Sequence, residues 1–311
     1  MIVDEILDGE RFVAVDVGAA NGIPLNWTRL TGAVDFYLFE PDEAACAKLA
    51  ERIPARHAER FRCLPVALSG TGGRRTLHVT NTPTGSSLLP FDTRITAEYG
   101  DKPYLYPCRE REVDTRTLAD VFDELDEGRI DLIKLDTQGT ELDILTGLDS
   151  PRFSAVQGIE LEVGVPGIYR GQAQVSDVQP YLCDRGFELF DLRVARADRH
   201  YRGDYDHYRT RIFGQPAGGP TIASRVLEAD LFFARNPYEL IEAGNGAALR
   251  RLIVVYCTYN FFIEAYYVVG MAQSAGLFDA PRAAMLRAAV HGWHAQVKAD
   301  ADRGVPVSWS R

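Results

Sequence analysis

Phe12-Val-Ala-Val-Asp-Val-Gly-Ala-Ala-Asn-Gly22 is the stretch whose reading decides the fold. Its apolar opening, Phe12 to Val15, predicts a strand buried on both faces, the habit of parallel sheets. The run meets an acid at Asp16, and Gly18 and Gly22 bracket three residues just beyond. Glycine at a strand end lets backbone approach a ligand closely, because no Cβ stands in the way. A second apolar run, Phe36-Tyr-Leu-Phe39, ends in Glu40-Pro41. An acid at the tip of the second strand is placed to grip a ribose diol.

Working outward, strand patterns are predicted at 61–67, 75–80, 109–113, 130–136, 156–163, 187–194 and 228–234. Helical patterns fall between them at 44–56, 116–125 and 140–148, and a further helix closes over 179–185. From Asn236 onward the pattern is helical only, at 237–243, 247–272 and 281–298. This alternation predicts an α/β fold, a doubly wound and mostly parallel sheet. Residues 1–235 then form the principal domain and residues 236–311 a helical C-terminal extension, a cap or a dimerisation element. In such sheets ligands bind at the carboxyl ends of the strands, where the strand order reverses.

Composition narrows the function classes. The chain has 311 residues, 46% of them hydrophobic, enough for a large core. A formal net charge of −10 argues against a nucleic-acid binder, which needs a basic stripe. It also disfavours a polyanionic substrate unless a local basic pocket exists. The five cysteines are scattered and form no C-x-x-C pair, so free thiols in a cytoplasmic protein are expected. Met1 to Glu10 lacks a basic segment, so no secretory signal is read there. Leu252 to Gly270 is apolar but contains Asn260 and Glu264. That favours a buried helix, or one pairing two chains in a homodimer, over a membrane span.

The turn spacing is Gly, three residues, Gly, not the G-x-G-x-x-G of dinucleotide sites. With Glu40 at the second tip, it favours S-adenosylmethionine over a nicotinamide cofactor. The motifs continue in order: Ala67-Leu-Ser69, Ser86-Ser-Leu88, Val113-Asp-Thr-Arg-Thr-Leu118, and Asp131-Leu-Ile-Lys-Leu-Asp-Thr-Gln-Gly139 with Glu141. This ordered set resembles the FkbM family of S-adenosylmethionine-dependent methyltransferases, over roughly residues 12 to 235. The resemblance implies a class I methyltransferase-like (Rossmann-like) fold. It also implies O-methylation of a small hydroxylated metabolite, such as a sugar or polyketide. Carried over by position, Asp16, Gly18 and Gly22 line the methionine end of the cofactor, with Ala19 and Asn21 in the same turn. Glu40, followed by Pro41, takes the ribose hydroxyls, Ala67 lies near the adenine, and Asp136 faces the reacting end. The family commonly has Glu where this chain has Gln138.

Methyl transfer to oxygen needs positioning and a base for the hydroxyl proton. Asp136 is the first candidate base and Glu160 the second; the plain alternative for each is an acid that orients the cofactor or caps a helix. Tyr169, Arg170 and Gln172 follow a strand end and are candidate substrate contacts. His200 and His207 flank a Tyr-rich loop that reads as a substrate lid or as a solvated excursion. No metal site is assigned; the pattern leaves room for a divalent cation without favouring one. Two rival readings stay open: a nucleotide-dependent oxidoreductase on a similar sheet, and a non-catalytic scaffold of the same fold.

Overall fold

The computed structural model describes residues 2–96, 107–148, 150–197, 211, 214 and 225–307. The strands are β1 (Val13–Val17), β2 (Asp35–Phe39), β3 (Phe61–Leu64), β4 (Ala67–Leu68), β5 (Gly73–Thr80), β6 (Pro107–Arg116), β7 (Leu132–Leu135), β8 (Gly158–Gly164), β9 (Phe187–Ala197) and β10 (Arg225–Arg235). The helices are α1 (Ile2–Leu7), α2 (Glu43–Arg52), α3 (Thr93–Thr96), α4 (Leu118–Glu124), α5 (Glu141–Thr146), α6 (Ser150–Ala155), α7 (Val175–Cys183), α8 (Pro237–Glu242), α9 (Gly246–Thr258), α10 (Phe262–Ser274) and α11 (Ala280–Asp302).

Seven strands form one sheet in the order β3-β2-β1-β7-β8-β10-β9. It is parallel from β3 through β8, and β10 runs antiparallel to both its neighbours. The order reverses between β1 and β7, which puts the ligand crevice of a doubly wound sheet beside Gly18. This is the class I methyltransferase-like architecture, with its helical C-terminal extension present. A second sheet, β4-β6-β5, carries the β5–β6 hairpin.

Period-two alternation explains why the strands are apolar throughout. Phe12 and Ala14 face one layer, with Phe36, Leu38 and Leu132. Val13, Val15 and Val17 face the other, with Tyr37, Phe39 and Leu135. The second layer is filled by α4, α5 and α7 through Phe122, Ile144 and Leu182. The first is filled from both chain ends, by α1 and by α9, α10 and α11.

The apolar stretch at Leu252 to Gly270 therefore packs within the chain. Leu252, Ile253, Val254 and Val255 of α9 are fully buried, each contributing roughly 1.5–3 kcal/mol. The single helix predicted over 247–272 is interrupted at Tyr259 to Phe261, where Asn260 takes φ +67°. After the break α10 buries only Ala265, Val268, Val269 and Ala272, leaving Ile263, Tyr266 and Tyr267 exposed. No helix among the described residues is long and apolar enough to cross a membrane. The N-terminal helix α1 is an addition to the sequence reading; its Val3, Ile6 and Leu7 are buried.

One buried ion pair fastens the extension to the sheet. Asp131, just before β7, accepts from Val13 N–H at 2.8 Å and lies 3.2 Å from Arg251 Nε of α9. Arg251 also donates to Glu10 Oε2 at 2.9 Å.

Candidate active site

At the end of β1 the chain enters Gly18 with φ +87° and ψ +38°, a left-handed conformation that favours glycine. Its N–H donates to Phe39 O at 3.0 Å, and Asp136 N–H donates to Val17 O at 3.0 Å. The two neighbouring strand ends are thus closed onto β1. A Cβ on Gly18 would stand 2.1 Å from the Asp136 carbonyl oxygen, so the closure depends on glycine. Between the glycines, Ala19–Asn21 makes one 3₁₀ turn, and Gly22 follows at φ +89°.

Beside this turn lies a crevice of about 580 Å³, a size suited to a drug-sized ligand. Of the residues singled out from the sequence, Gly18, Asn21, Glu40, Pro41, Ala67 and Asp136 line it. Glu40 is half-buried at the tip of β2, and burial raises its pKa. One carboxylate oxygen, Oε1, accepts from Asp42 N–H at 2.9 Å; Oε2 has no partner among the described residues. A half-buried carboxylate with a free oxygen fits a ribose diol, and the Cβ-free turn at Gly18 fits close backbone approach by S-adenosylmethionine.

The other predicted residues stand behind this surface. Asp16 is fully buried one rung below Gly18. Register sets Asp16 of β1, Lys134 of β7 and Glu160 of β8 side by side. Lys134 Nζ lies 3.5 Å from Asp16 Oδ1 and 3.6 Å from Asp136 Oδ2, so one ammonium serves both acids. Burial raises Asp16 to about 6 against the pull of Lys134, and burial raises Glu160 to about 7. Glu160 Oε2 accepts from the Tyr259 hydroxyl at 2.6 Å. That hydroxyl in turn accepts from Trp27 Nε1–H at 3.1 Å. Glu160 is thus a buried acid capped by an aromatic pair, one rung away from the crevice.

One rung higher, Glu162 does line the crevice. Between it and Asp136 sits Gln138, with φ +59°. Its Nε2 donates to Asp136 Oδ1 at 2.9 Å and to Glu162 Oε1 at 3.1 Å. Its Oε1 accepts from the Tyr169 hydroxyl at 2.7 Å, a hydroxyl also 3.0 Å from Gly85 O. Ser87 Oγ donates to the Gln138 carbonyl at 2.7 Å. Tyr169 is therefore buried behind Gln138. Gln172 braces the same turn, its Oε1 3.1 Å from Ile168 N. Arg170 is exposed and, like Tyr169 and Gln172, does not border the crevice. His200 and His207 lie outside the described residues.

Glu141, at the start of α5, accepts from the backbone N–H groups of Thr137 and Gly139 at 2.9 to 3.1 Å, fixing the Thr137–Gly139 turn. Among the described residues no group of three or more His, Cys, Asp or Glu is placed to hold a metal ion.

Lys134, Gln138 and Glu162 are absent from the sequence-derived site. Their signals were modest. Lys134 is a charge inside an apolar strand, and Glu162 shares a face with Glu160, two residues nearer the ligand-binding edge.

With this geometry in view, the model of the methyltransferase FkbM domain matches residues 16–189. The chain belongs to the FkbM methyltransferase family. As a member it is an S-adenosylmethionine-dependent methyltransferase. Among curated relatives, methyltransferase sdnD of Sordaria araneosa is 28% identical over 200 residues, covering 56% of this chain and 73% of that protein. The 2-O-methyltransferase NoeI of Sinorhizobium fredii is 28% identical over 199 residues, covering 62% of this chain and 77% of that protein. Among solved structures, a precorrin-6y C5,15-methyltransferase of Geobacter metallireducens aligns over 75% of this chain and 85% of its own. Its TM-score is 0.34, at 10% identity.

Proposed function

We propose that this FkbM methyltransferase methylates a hydroxyl oxygen of a small metabolite, a sugar, polyketide or related compound. The observation that carries the reading is Asp136. It is a carboxylate in the crevice where the strand order reverses, fixed by Gln138 Nε2 and faced by Lys134. That the relative NoeI is a 2-O-methyltransferase supports oxygen as the acceptor atom.

In this reading Gly18 and Asn21 hold the methionine end of S-adenosylmethionine, Glu40 the ribose and Ala67 the adenine side. Held there, S-adenosylmethionine would supply an electrophilic methyl for an acceptor oxygen, with S-adenosylhomocysteine as the leaving group. Asp136 accepts the hydroxyl proton, a general-base role worth roughly 10²–10⁴ in rate. Lys134 Nζ, 3.6 Å away, faces the same carboxylate. Gln138 orients it, and Tyr169 orients Gln138. Residues 1–235 form the catalytic unit, and residues 236–311 its structural support.

Calorimetric titration with S-adenosylmethionine and S-adenosylhomocysteine tests the cofactor site. Absence of binding at millimolar concentrations overturns it. Transfer of labelled methyl to amines but never to hydroxyls, across a panel of small metabolites, overturns the oxygen assignment.

A further inference from the structure

Four cations edge the crevice: Lys48, Arg52, Arg109 and Arg111. Lys48 and Arg52 stand one turn apart on α2, on a common helix face. Arg109 and Arg111 stand two residues apart on β6, hence on one face of the β5–β6 hairpin, paired in register with Val79 and Leu77. Those two apolar side chains line the crevice as well. The hairpin thus turns an apolar, basic face onto the cavity from one side, and α2 presents two cations from another.

All four are exposed, and none makes a hydrogen bond or ion pair among the described residues. Elsewhere Arg11, Arg29, Arg60, Arg116, Arg152 and Arg251 each pair with a carboxylate. In a chain of net charge −10 there is no shortage of acids to neutralise four cations. Left unpaired, these four put a local cluster of positive charge on the α2 and β6 walls of a crevice whose lining also carries acids. The same crevice is also lined by five acids, Glu40, Asp42, Asp136, Glu162 and Glu228. It therefore carries acids suited to a hydroxyl together with cations suited to an anion.

We infer that the methyl acceptor carries a negatively charged group, a carboxylate, sulfate or phosphate, held by Arg109 and Arg111 with Lys48 and Arg52 opposite. Guanidinium groups suit this, since their forked donors match two oxygens of such an anion. The inference rests on the reading of the crevice as the methyl-transfer site, and it names the substrate class of that site.

The test uses the full chain saturated with S-adenosylhomocysteine and titrated with inorganic sulfate, then inorganic phosphate, at constant ionic strength set by chloride. Melting temperature and tryptophan fluorescence are followed. The expected result is saturable anion binding in the millimolar range, weakened roughly tenfold or more in Arg109→Gln/Arg111→Gln by loss of charge-assisted bonds. The affinity for S-adenosylhomocysteine is expected to hold within about twofold, since only the anion contacts are removed. Lys48→Gln/Arg52→Gln provides the second arm with the same expectation. Non-saturable anion effects, or equal binding by wild type and both variants, overturn the inference. So does a tenfold loss of S-adenosylhomocysteine affinity in the variants, which would assign these cations to the cofactor. If the wild type fails to bind S-adenosylhomocysteine, the methyl-transfer reading fails instead, and the sulfate titration of the free protein judges the cation cluster separately.

Discussion

The Tyr259 hydroxyl donates to Glu160 Oε2 across 2.6 Å, joining two residues 99 positions apart, one in the break between α9 and α10 and one in β8. The tyrosine ring stacks on Phe232 with centroids 3.7 Å apart. The C-terminal extension thereby reaches the row of charges beneath the cofactor turn. Tyr259→Phe keeps the stacking and removes the donor. The buried carboxylate then loses a partner, at a cost of about 1–3 kcal/mol. Urea unfolding at pH 7.5 measures it; an unchanged midpoint and slope would show that the bond carries no net stability.

The same acids set a pH dependence. Glu160 is raised to about 7 and Asp16 to about 6, both chiefly by burial. Each therefore binds its proton more tightly folded than unfolded. Their contribution to stability is full below the unfolded carboxylate pKa and is lost as pH rises through 6 to 7. Stability is expected to fall between pH 5 and pH 8, by about 1.4 kcal/mol for every tenfold difference in proton affinity. Asp92, lowered to about 2 by Arg94, stays ionised across this window and does not confuse it. Glu160→Gln should lessen the slope without abolishing it, since burial also raises Asp131 and Glu141 to about 7, as read from denaturation midpoints at several pH values.

Gly18→Ala directs a methyl at the Asp136 carbonyl, 2.1 Å from the new carbon, at a φ of +87°. The strand ends must separate. The expected outcome is a loss of about 1–3 kcal/mol in stability from overpacking and a weakened S-adenosylhomocysteine affinity by calorimetry. A variant with native melting temperature and native affinity would show that β1 and β7 can part freely here.

Gln138→Glu exchanges the amide that bridges Asp136 and Glu162 for a third carboxylate. Like charges at hydrogen-bond distance favour protonation of one member of the group. With Asp136 as base, the acidic limb of the kcat profile should move up by about one pH unit, while S-adenosylhomocysteine affinity changes little. An unmoved limb would remove Asp136 from the base role.

Arg251→Ala leaves buried Asp131 with only the more distant Arg129, 3.8 Å away, while Val13 still donates to it. Breaking a buried pair from one side costs roughly 3–5 kcal/mol. The melting temperature should drop steeply, and Glu10 keeps Arg250 as its remaining partner.

The fold was legible where physics is local. Phe12 to Val15 and Phe36 to Phe39 are apolar at every position because helices cover both faces, and that alone implies a parallel sheet. The glycine turn and Glu40 were readable because strand ends and backbone clearance leave marks in sequence. The reading stopped where function depends on lateral register. Nothing in sequence order shows that Lys134 stands between Asp16 and Glu160, since strand order sets that row. Nor does Gln138 announce itself, being a neutral residue whose worth comes from touching Asp136, Glu162 and Tyr169 at once. The apolar run at Leu252 could not reveal whether its partner was another chain or the sheet beneath. Asn260, where the helix breaks, was visible as a polar interruption, but its consequence at Glu160 was not.

Because α9, α10 and α11 share one core layer with α1 and β1, the layer that supports the cofactor turn joins segments far apart in the sequence. β1 emerges early with half of its apolar surface uncovered, and its cover arrives more than two hundred residues later. Native burial of that face must therefore await synthesis of α9 to α11. A nonsense codon just after Arg235 would yield a chain with every strand of the sheet yet with an adhesive, unroofed side, a substrate for chaperones and proteases rather than a shortened enzyme.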